Sequence, residues 1–396
     1  MLSQVLHIVW IIYQVIVGSI LIFPLISYVW FLISGKTSRA VGQPIGNPDY
    51  GIIVTAYQYA GNLHNTIQSL LKMDYPNYII YVVADNCGDA EIFPPHEKVV
   101  ILRPDPVLAN QLKSHFLAIN SFKRPHNIVT IIDSDNLVHP AYLSELNKWF
   151  GKGYQAVQGV RKAKNTNTEY ASIDAINELY YLFYDRKILF NIGSSCMLSG
   201  SGMAFTTTLY QQCLGNLDAS GAGFDKILQK EILLRRNRIA FAEGAIVYDE
   251  KTASAEQLVK QRARWNNTWF RFMSFGYLVA GNGIKNLSLN QFLFGFILLR
   301  PPLFLLLILS MFIAIINLFI NPLYSLVWAG LLGLFSLGFF IALANSETDK
   351  KLYASLKHIP KFIFLQVISL FKAKKANQLS VSTEHSYHKE MEEIKK

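Results

Sequence analysis

The sequence predicts an α/β domain, a mainly parallel sheet with crossover helices, set between apolar membrane helices at both ends of the chain. Three observations predict it. From Asp49 to about Tyr248, short β-branched runs alternate with helical stretches, as strands joined by crossover helices do. Val5 to Ile33 contains no Lys, Arg, Asp or Glu, and neither do Pro301 to Ile320 or Pro322 to Ala344. The 51% hydrophobic content of the 396 residues is concentrated at the ends, which leaves a middle large enough for a core of its own.

At about 1.5 Å per helical residue, the first apolar segment is long enough to cross ~30 Å of hydrocarbon. It has neither the basic n-region and short apolar core nor the A-x-A-like site of a cleaved signal peptide. Lys36 and Arg39 follow it, so the positive-inside rule places the next domain in the cytoplasm and the amino terminus outside. Residues 1–46 are thus expected to form a transmembrane helix and a linker. The net charge of +10 would suit nucleic acid or an anionic membrane. The basic residues flank apolar segments and form no basic-aromatic stripe, so membrane lipids, not nucleic acid, are the expected partner. Cys87, Cys196 and Cys213 are widely spaced and imply neither a disulfide framework nor a zinc site.

Strands are expected at Ile52 to Ala56, Ile79 to Ala84, Val99 to Leu102, Ile128 to Ile132, Ala156 to Gly159, Met203 to Thr206 and Ile246 to Tyr248, with a helix at Asn62 to Leu71. The fourth strand ends in Asp133-Ser134-Asp135-Asn136. Residues two apart on a strand share a side, so Asp133 and Asp135 can project together. Two such carboxylates suit Mg²⁺ or Mn²⁺ carrying a nucleotide diphosphate, with the substrate completing the coordination. An ordinary Asx turn is the plainer alternative, for this pair and for Asp85. Thr55, Tyr57, Asp85 and the Asp133/Asp135 pair all fall at or near strand carboxyl ends. One cleft at a point of strand-order reversal would hold them all.

Further residues add to that cleft. Lys113, on the first turn of a helix opened by Asn110, suits a diphosphate or else is a solvated surface lysine. Gly200 and Gly202 before a strand allow close backbone approach to a ligand, or a tight turn. Asp225 precedes a helix over Ile227 to Arg236; it reads as a helix cap or first-turn acid, or as a general base for an acceptor hydroxyl. In Gln261-Arg262-Ala263-Arg264-Trp265 the two guanidinium groups suit a diphosphate and the Trp face a sugar ring. A basic amphipathic helix on the membrane surface is compatible with the same run.

Taken in order, the VVADN strand end, the Asp133-Ser134-Asp135 pair, Gly200-Ser201-Gly202-Met203, Asp225 and the QRARW run resemble the membrane-bound family-2 glycosyltransferases of GT-A fold, similar to cellulose, hyaluronan and poly-N-acetylglucosamine synthases. The resemblance covers roughly Asn47 to Phe275. It implies that Asp85 binds the nucleotide base or ribose, Asp133 the nucleotide, and Asp135 the metal. It implies Asp225 as base, and Gln261, Arg264 and Trp265 along the donor diphosphate and acceptor end; Thr55, Tyr57, Lys113 and Arg262 are added on the donor side and Gly202 on the acceptor side. Two departures stand out. The family's Pro-Ala-Tyr-Asn-Glu appears as Thr55-Ala56-Tyr57-Gln58-Tyr59, and its Thr-Glu-Asp as Gly223-Phe224-Asp225.

The catalytic domain is expected over 47–286 and an interfacial segment with a two-helix transmembrane hairpin over 287–346. A tight turn at Asn321 falls outside, because Lys350, Lys351, Lys357, Lys361, Lys372, Lys374 and Lys375 all follow the second run. Leu352 to Phe371 carries Lys357, His358, Pro360 and Lys361 in its first half, which favours an in-plane amphipathic helix over a fourth crossing, within 347–375. Residues 376–396 form a polar tail. The expected function is inverting transfer of a sugar, from a UDP-sugar or another nucleotide-diphosphate sugar, to a saccharide or lipid-linked acceptor at the cytoplasmic membrane face. A catalytically inactive sugar-nucleotide or glycan-binding subunit of a membrane synthase is the rival. A transporter is a weaker one, since three nearly uncharged crossings offer little wall for a pathway.

Overall fold

The computed structural model describes residues 2–35, 46–215, 217, 223–346, 350–374 and 376. Lys36, Arg39, Gly221, Ala222, Lys375 and the tail beyond 376 lie outside the described residues. Helix α1 (Leu2–Ser34) leads into β1 (Tyr50–Tyr57), α2 (Leu63–Leu71), β2 (Tyr78–Asp85), β3 (Val99–Leu102), α3 (Gln111–Asn120) and β4 (Ile128–Asp133). A two-residue strand β5 (Leu137–Val138), α4 (Tyr142–Phe150) and β6 (Ala156–Ala163) follow. Next come α5 (Glu169–Tyr181), a π-helical stretch Leu182–Ile188, α6 (Leu189–Asn191), β7 (Met203–Thr206), α7 (Thr207–Leu214), α8 (Phe224–Leu234) and β8 (Ile239–Asp249). The helices α9 (Ala255–Phe272), α10 (Ser274–Lys285), α11 (Leu289–Leu299), α12 (Leu303–Ile320), α13 (Pro322–Ala344), α14 (Lys350–Ala354) and α15 (Ile359–Ala373) follow.

Among the described residues eight strands form one sheet in the order β3-β2-β1-β4-β7-β6-β8-β5. Pairs β1/β2, β1/β4, β2/β3 and β6/β8 are parallel; β4/β7, β6/β7 and β5/β8 are antiparallel. All residues of β2 are buried, as expected for a strand covered on both faces. Each expected strand is present. Two features were not expected: β5, too short to show a period, and the first half of β8, where Glu243 and Gly244 interrupt the apolar pattern. Strand order reverses between β1 and β4, where α/β sheets leave a crevice beyond the strand ends. Strands β6 and β8 shift register between Gln158 and Val160, and the end of β8 pairs with β5. Only residues 134–136 separate β4 from β5, so the end of β8 is brought beside the end of β4.

Helices α1, α12 and α13 meet through a polar node in apolar surroundings. Asn317 Nδ2 and Trp328 Nε1 both donate to Gln14 Oε1, at 2.6 and 2.7 Å, and Trp10 Nε1 donates to Asn317 Oδ1 at 3.2 Å. Each polar group finds a partner on another helix, which is what an apolar medium demands. The bundle is tied to the sheet domain through the π-helical stretch. Tyr184 Oη donates to Gly338 O at 2.7 Å, the Phe183 ring lies 5.6 Å from that of Tyr28, and Asp185 pairs with Arg300. Among the described residues, four helices are long and apolar enough to cross a membrane, the fourth being Leu352–Ala373. A 3₁₀ turn at Ser355–His358 breaks that fourth helix, and α15 lies along α9, joined to it by Asn266 Nδ2 donating to Ser369 Oγ at 2.9 Å.

Candidate active site

Strand register brings several expected residues together. Across the β1/β4 reversal Thr55 is the partner of Asp133, and across β1/β2 Tyr57 is the partner of Asp85. The turn after β4 is tied on all sides. Asn136 N donates to Asp133 O at 3.1 Å, Thr66 Oγ1 to Ser134 O at 2.8 Å, and Asp133 N to Ser201 Oγ at 3.0 Å. Asp135 is buried, and Lys164 Nζ lies 3.4 Å from its carbonyl oxygen. Burial lowers the pKa of the Lys164 ammonium, while Asp135, Glu250 and Asp249 work against that shift.

Among the described residues, His, Cys, Asp and Glu side chains nowhere gather in a group of three or more able to hold a metal by themselves. Two neighbouring carboxylates with hard oxygen donors fit a different arrangement, in which Mg²⁺ or Mn²⁺ is shared with substrate phosphates. Residues Asp133 and Asp135 fit that role.

Helix α9 is the second half of the site. Its Ser254 cap accepts from Gln257 N at 3.3 Å. Burial lowers the Arg264 guanidinium pKa, with Asp133 close enough to oppose the shift; this links α9 to the end of β4. Gln261 Oε1 is buried with no hydrogen-bond partner among the described groups. Trp265 is 43% exposed, leaving ring surface for a ligand. Arg262 is placed otherwise than expected. Its guanidinium pairs with Asp174 of α5, stacks on the Trp265 ring at 4.0 Å and is buried. It props Trp265 and anchors α9.

Asp225 stands on the first turn of α8, but the cap position belongs to Gly223, at φ 102°, with no side-chain cap bond. A Cβ on Gly223 would come within 2.5 Å of Phe272 Cε2 and 3.1 Å of Thr268 Cγ2. Glycine is therefore required for the start of α8 to touch α9, one turn beyond Arg264. Of the two structural alternatives for Asp225, cap or first-turn acid, it is the first-turn acid, partly exposed, with Lys226 Nζ at 3.2 Å.

Two other residues, Asp85 and Gly202, have structural work. Both Asp85 oxygens accept backbone N–H groups, from Leu108 at 3.0 Å and Ala109 at 2.7 Å, so this carboxylate holds the loop before α3 across the strand ends. Gly202, expected on the acceptor side, is buried at φ 65°; its N donates to Ile131 O at 2.9 Å, and a Cβ would meet Val247 Cγ2 at 2.9 Å. That is the close-packed turn of the plainer reading. Lys113 is exposed on the first turn of α3, where Asn110 Oδ1 caps its backbone N at 3.1 Å.

The sequence reading missed a buried group behind the Asp133–Asn136 turn. Asp249 pairs with Arg161 at 2.6 Å and Lys251 at 2.8 Å. Burial alone would raise the Asp249 carboxyl, yet the two cations outweigh it and hold it well below the usual carboxylate range. Burial likewise opposes the Arg161 charge, but Asp249, Glu178 and Asp133 hold it above its ordinary value. Arg161 in β6 and Lys164 just after it were the available signal; their partners lie about 90 residues and about 30 residues away, distances no local pattern spans.

The family described as Glycosyltransferase like family 2 matches residues 48–268. No curated protein matches the chain. A solved mannosyltransferase, PcManGT from Pyrobaculum calidifontis in complex with GDP-Man and Mn²⁺, is similar in fold, with a TM-score of 0.58, 15% identity, and coverage of 91% of this chain and 96% of that one.

Proposed function

The chain belongs to the glycosyltransferase-like family 2 and is a GT-A glycosyltransferase; from that premise we propose that it transfers a sugar from a nucleotide-diphosphate donor to an acceptor hydroxyl, inverting the anomeric carbon. The observation that carries this reading is the convergence on Asp133 of Thr55, across the β1/β4 reversal, and of Arg264 from α9. Asp225 takes the proton while the acceptor oxygen bonds to the anomeric carbon and the bond from that carbon to the diphosphate breaks. Arg264 pairs with the diphosphate, with exposed Lys113 as a second cation on the donor side. Gln261 Oε1, buried and unpartnered, accepts from a donor hydroxyl. Trp265 stacks on the acceptor sugar. Thr55, Tyr57 and the loop held by Asp85 line the nucleotide. Bound Mg²⁺ or Mn²⁺ on Asp135 and Asp133 would offset the charge of the leaving diphosphate.

The acceptor is a saccharide or lipid-linked saccharide, and the reaction serves polysaccharide or glycoconjugate synthesis at the cytoplasmic membrane face. The catalytic unit is 47–286. Helix α15 lies in the membrane plane; its contact with α9 and the pairing of Lys361 and His358 with Glu169 support that placement. The purified membrane protein should be given Mn²⁺ with UDP-sugars and with GDP-mannose, the latter because the similar mannosyltransferase carries GDP-Man. Release of free nucleoside diphosphate with one donor is the expected result. Tight donor binding without turnover across the panel and a range of acceptors would favour the inactive binding subunit.

A further inference from the structure

We propose that Asn136 is a positioning residue for the Asp135 carboxylate, and that Asp249 is its anchor. This rests on the reading of Asp135 as a metal ligand. Asn136 is fully buried, and its amide joins three side chains. Its Oδ1 accepts from Ser201 Oγ at 2.5 Å, while Nδ2 donates to Asp135 Oδ1 at 3.2 Å and to Asp249 Oδ1 at 3.4 Å. The opposite amide orientation would set a carbonyl oxygen against two carboxylates, so the chemistry of the partners selects this one.

Asp249, which shares the Asn136 Nδ2 donor with Asp135, cannot drift. Asp249 closes β8 beside Ala163 of β6, clamped by Arg161 and Lys251. Arg161 Nη1 also donates to Ser199 O at 2.7 Å, two residues from Ser201. The anchor and the hydroxyl that holds Asn136 are thus fixed to one another, and Asn136 carries that rigidity onto the plane of the Asp135 carboxylate. A metal ligand set by an outer partner typically loses about 10–100-fold in metal affinity when that partner is removed.

Mn²⁺ binding should be read by electron paramagnetic resonance on the purified full-length protein, with UDP or GDP present, for wild type, Asn136→Ala, Ser201→Ala and Asp135→Asn. Asn136→Ala should weaken Mn²⁺ about 10–100-fold, and Ser201→Ala less but in the same direction. At saturating Mn²⁺ the kcat of both should fall by a smaller factor than the metal affinity. Should Asn136→Ala not fold, Ser201→Ala carries the comparison. Folded variants that bind Mn²⁺ within about twofold of wild type, while Asp135→Asn does not bind it, overturn the positioning role alone. A wild type without Asp135-dependent Mn²⁺ overturns the metal reading and the positioning role together.

Discussion

Asp225→Asn separates chemistry from stability, because the structure limits what this carboxylate contributes to the fold. The helix cap belongs to Gly223, so no cap bond is lost. What remains is a first-turn charge near the helix dipole, worth ~0.3–1 kcal/mol. Its pair with Lys226 has side chains 16% and 26% exposed, and such a solvent-reached pair contributes ~0–1 kcal/mol. The whole loss should be about 1 kcal/mol, a shift of a few degrees or less in Tm. Loss of a general base, in contrast, should lower kcat by ~10²–10⁴-fold. Donor affinity should survive, since the donor contacts come from Asp135, Arg264 and Gln261. Turnover and nucleotide-sugar binding must be measured on the same preparation, beside a melting curve. Near wild-type kcat would refute the base assignment. Loss of stability in proportion to loss of activity would refute the claim that the fold hardly depends on Asp225.

Arg262→Gln leaves Asp174 buried without its partner and should cost ~3–5 kcal/mol, seen as a large drop in Tm with donor KM changed only a few-fold. Arg264→Gln should do the reverse, raising donor KM while Tm holds; an exchange of these two outcomes would return the diphosphate role to Arg262. His115 is fully buried, and burial lowers its pKa to about 3. The unfolded chain takes up a proton near the ordinary value of about 6.5 that the folded chain refuses, so stability is lost as pH falls below that value until about 3. Between about pH 7 and about pH 5 the loss should be about 2 kcal/mol, absent in His115→Gln; parallel Tm-against-pH curves for the two proteins would show the slope to lie elsewhere. A topology reporter at Asn321 should read outside and one after Lys375 inside; a common side would mean that the hairpin or α15 has been misplaced.

What the sequence by itself determined is whatever depends on short range. Apolar length without charge specifies helices α1, α12 and α13, β-branched runs specify the seven expected strands, and a strand end in Asp133-Ser134-Asp135 announces a polar site, because each signal lies within one element. Tertiary structure decided which partners the charges in that site meet. Arg262 and Arg264 are two apart on α9 and alike in sequence, yet one pairs with Asp174 while the other lies near enough to Asp133 to feel its charge. Asp225 could be a cap or a first-turn acid by sequence, and Gly223, packed on Phe272, holds the cap position. Strand β5 and the Asn136–Asp249 contact exist only because β8 returns beside the end of β4. A side chain's partner depends on which elements the sheet order brings together, and a charge is catalytic or structural according to that partner. That information is long-range, and no spacing within a segment encodes it.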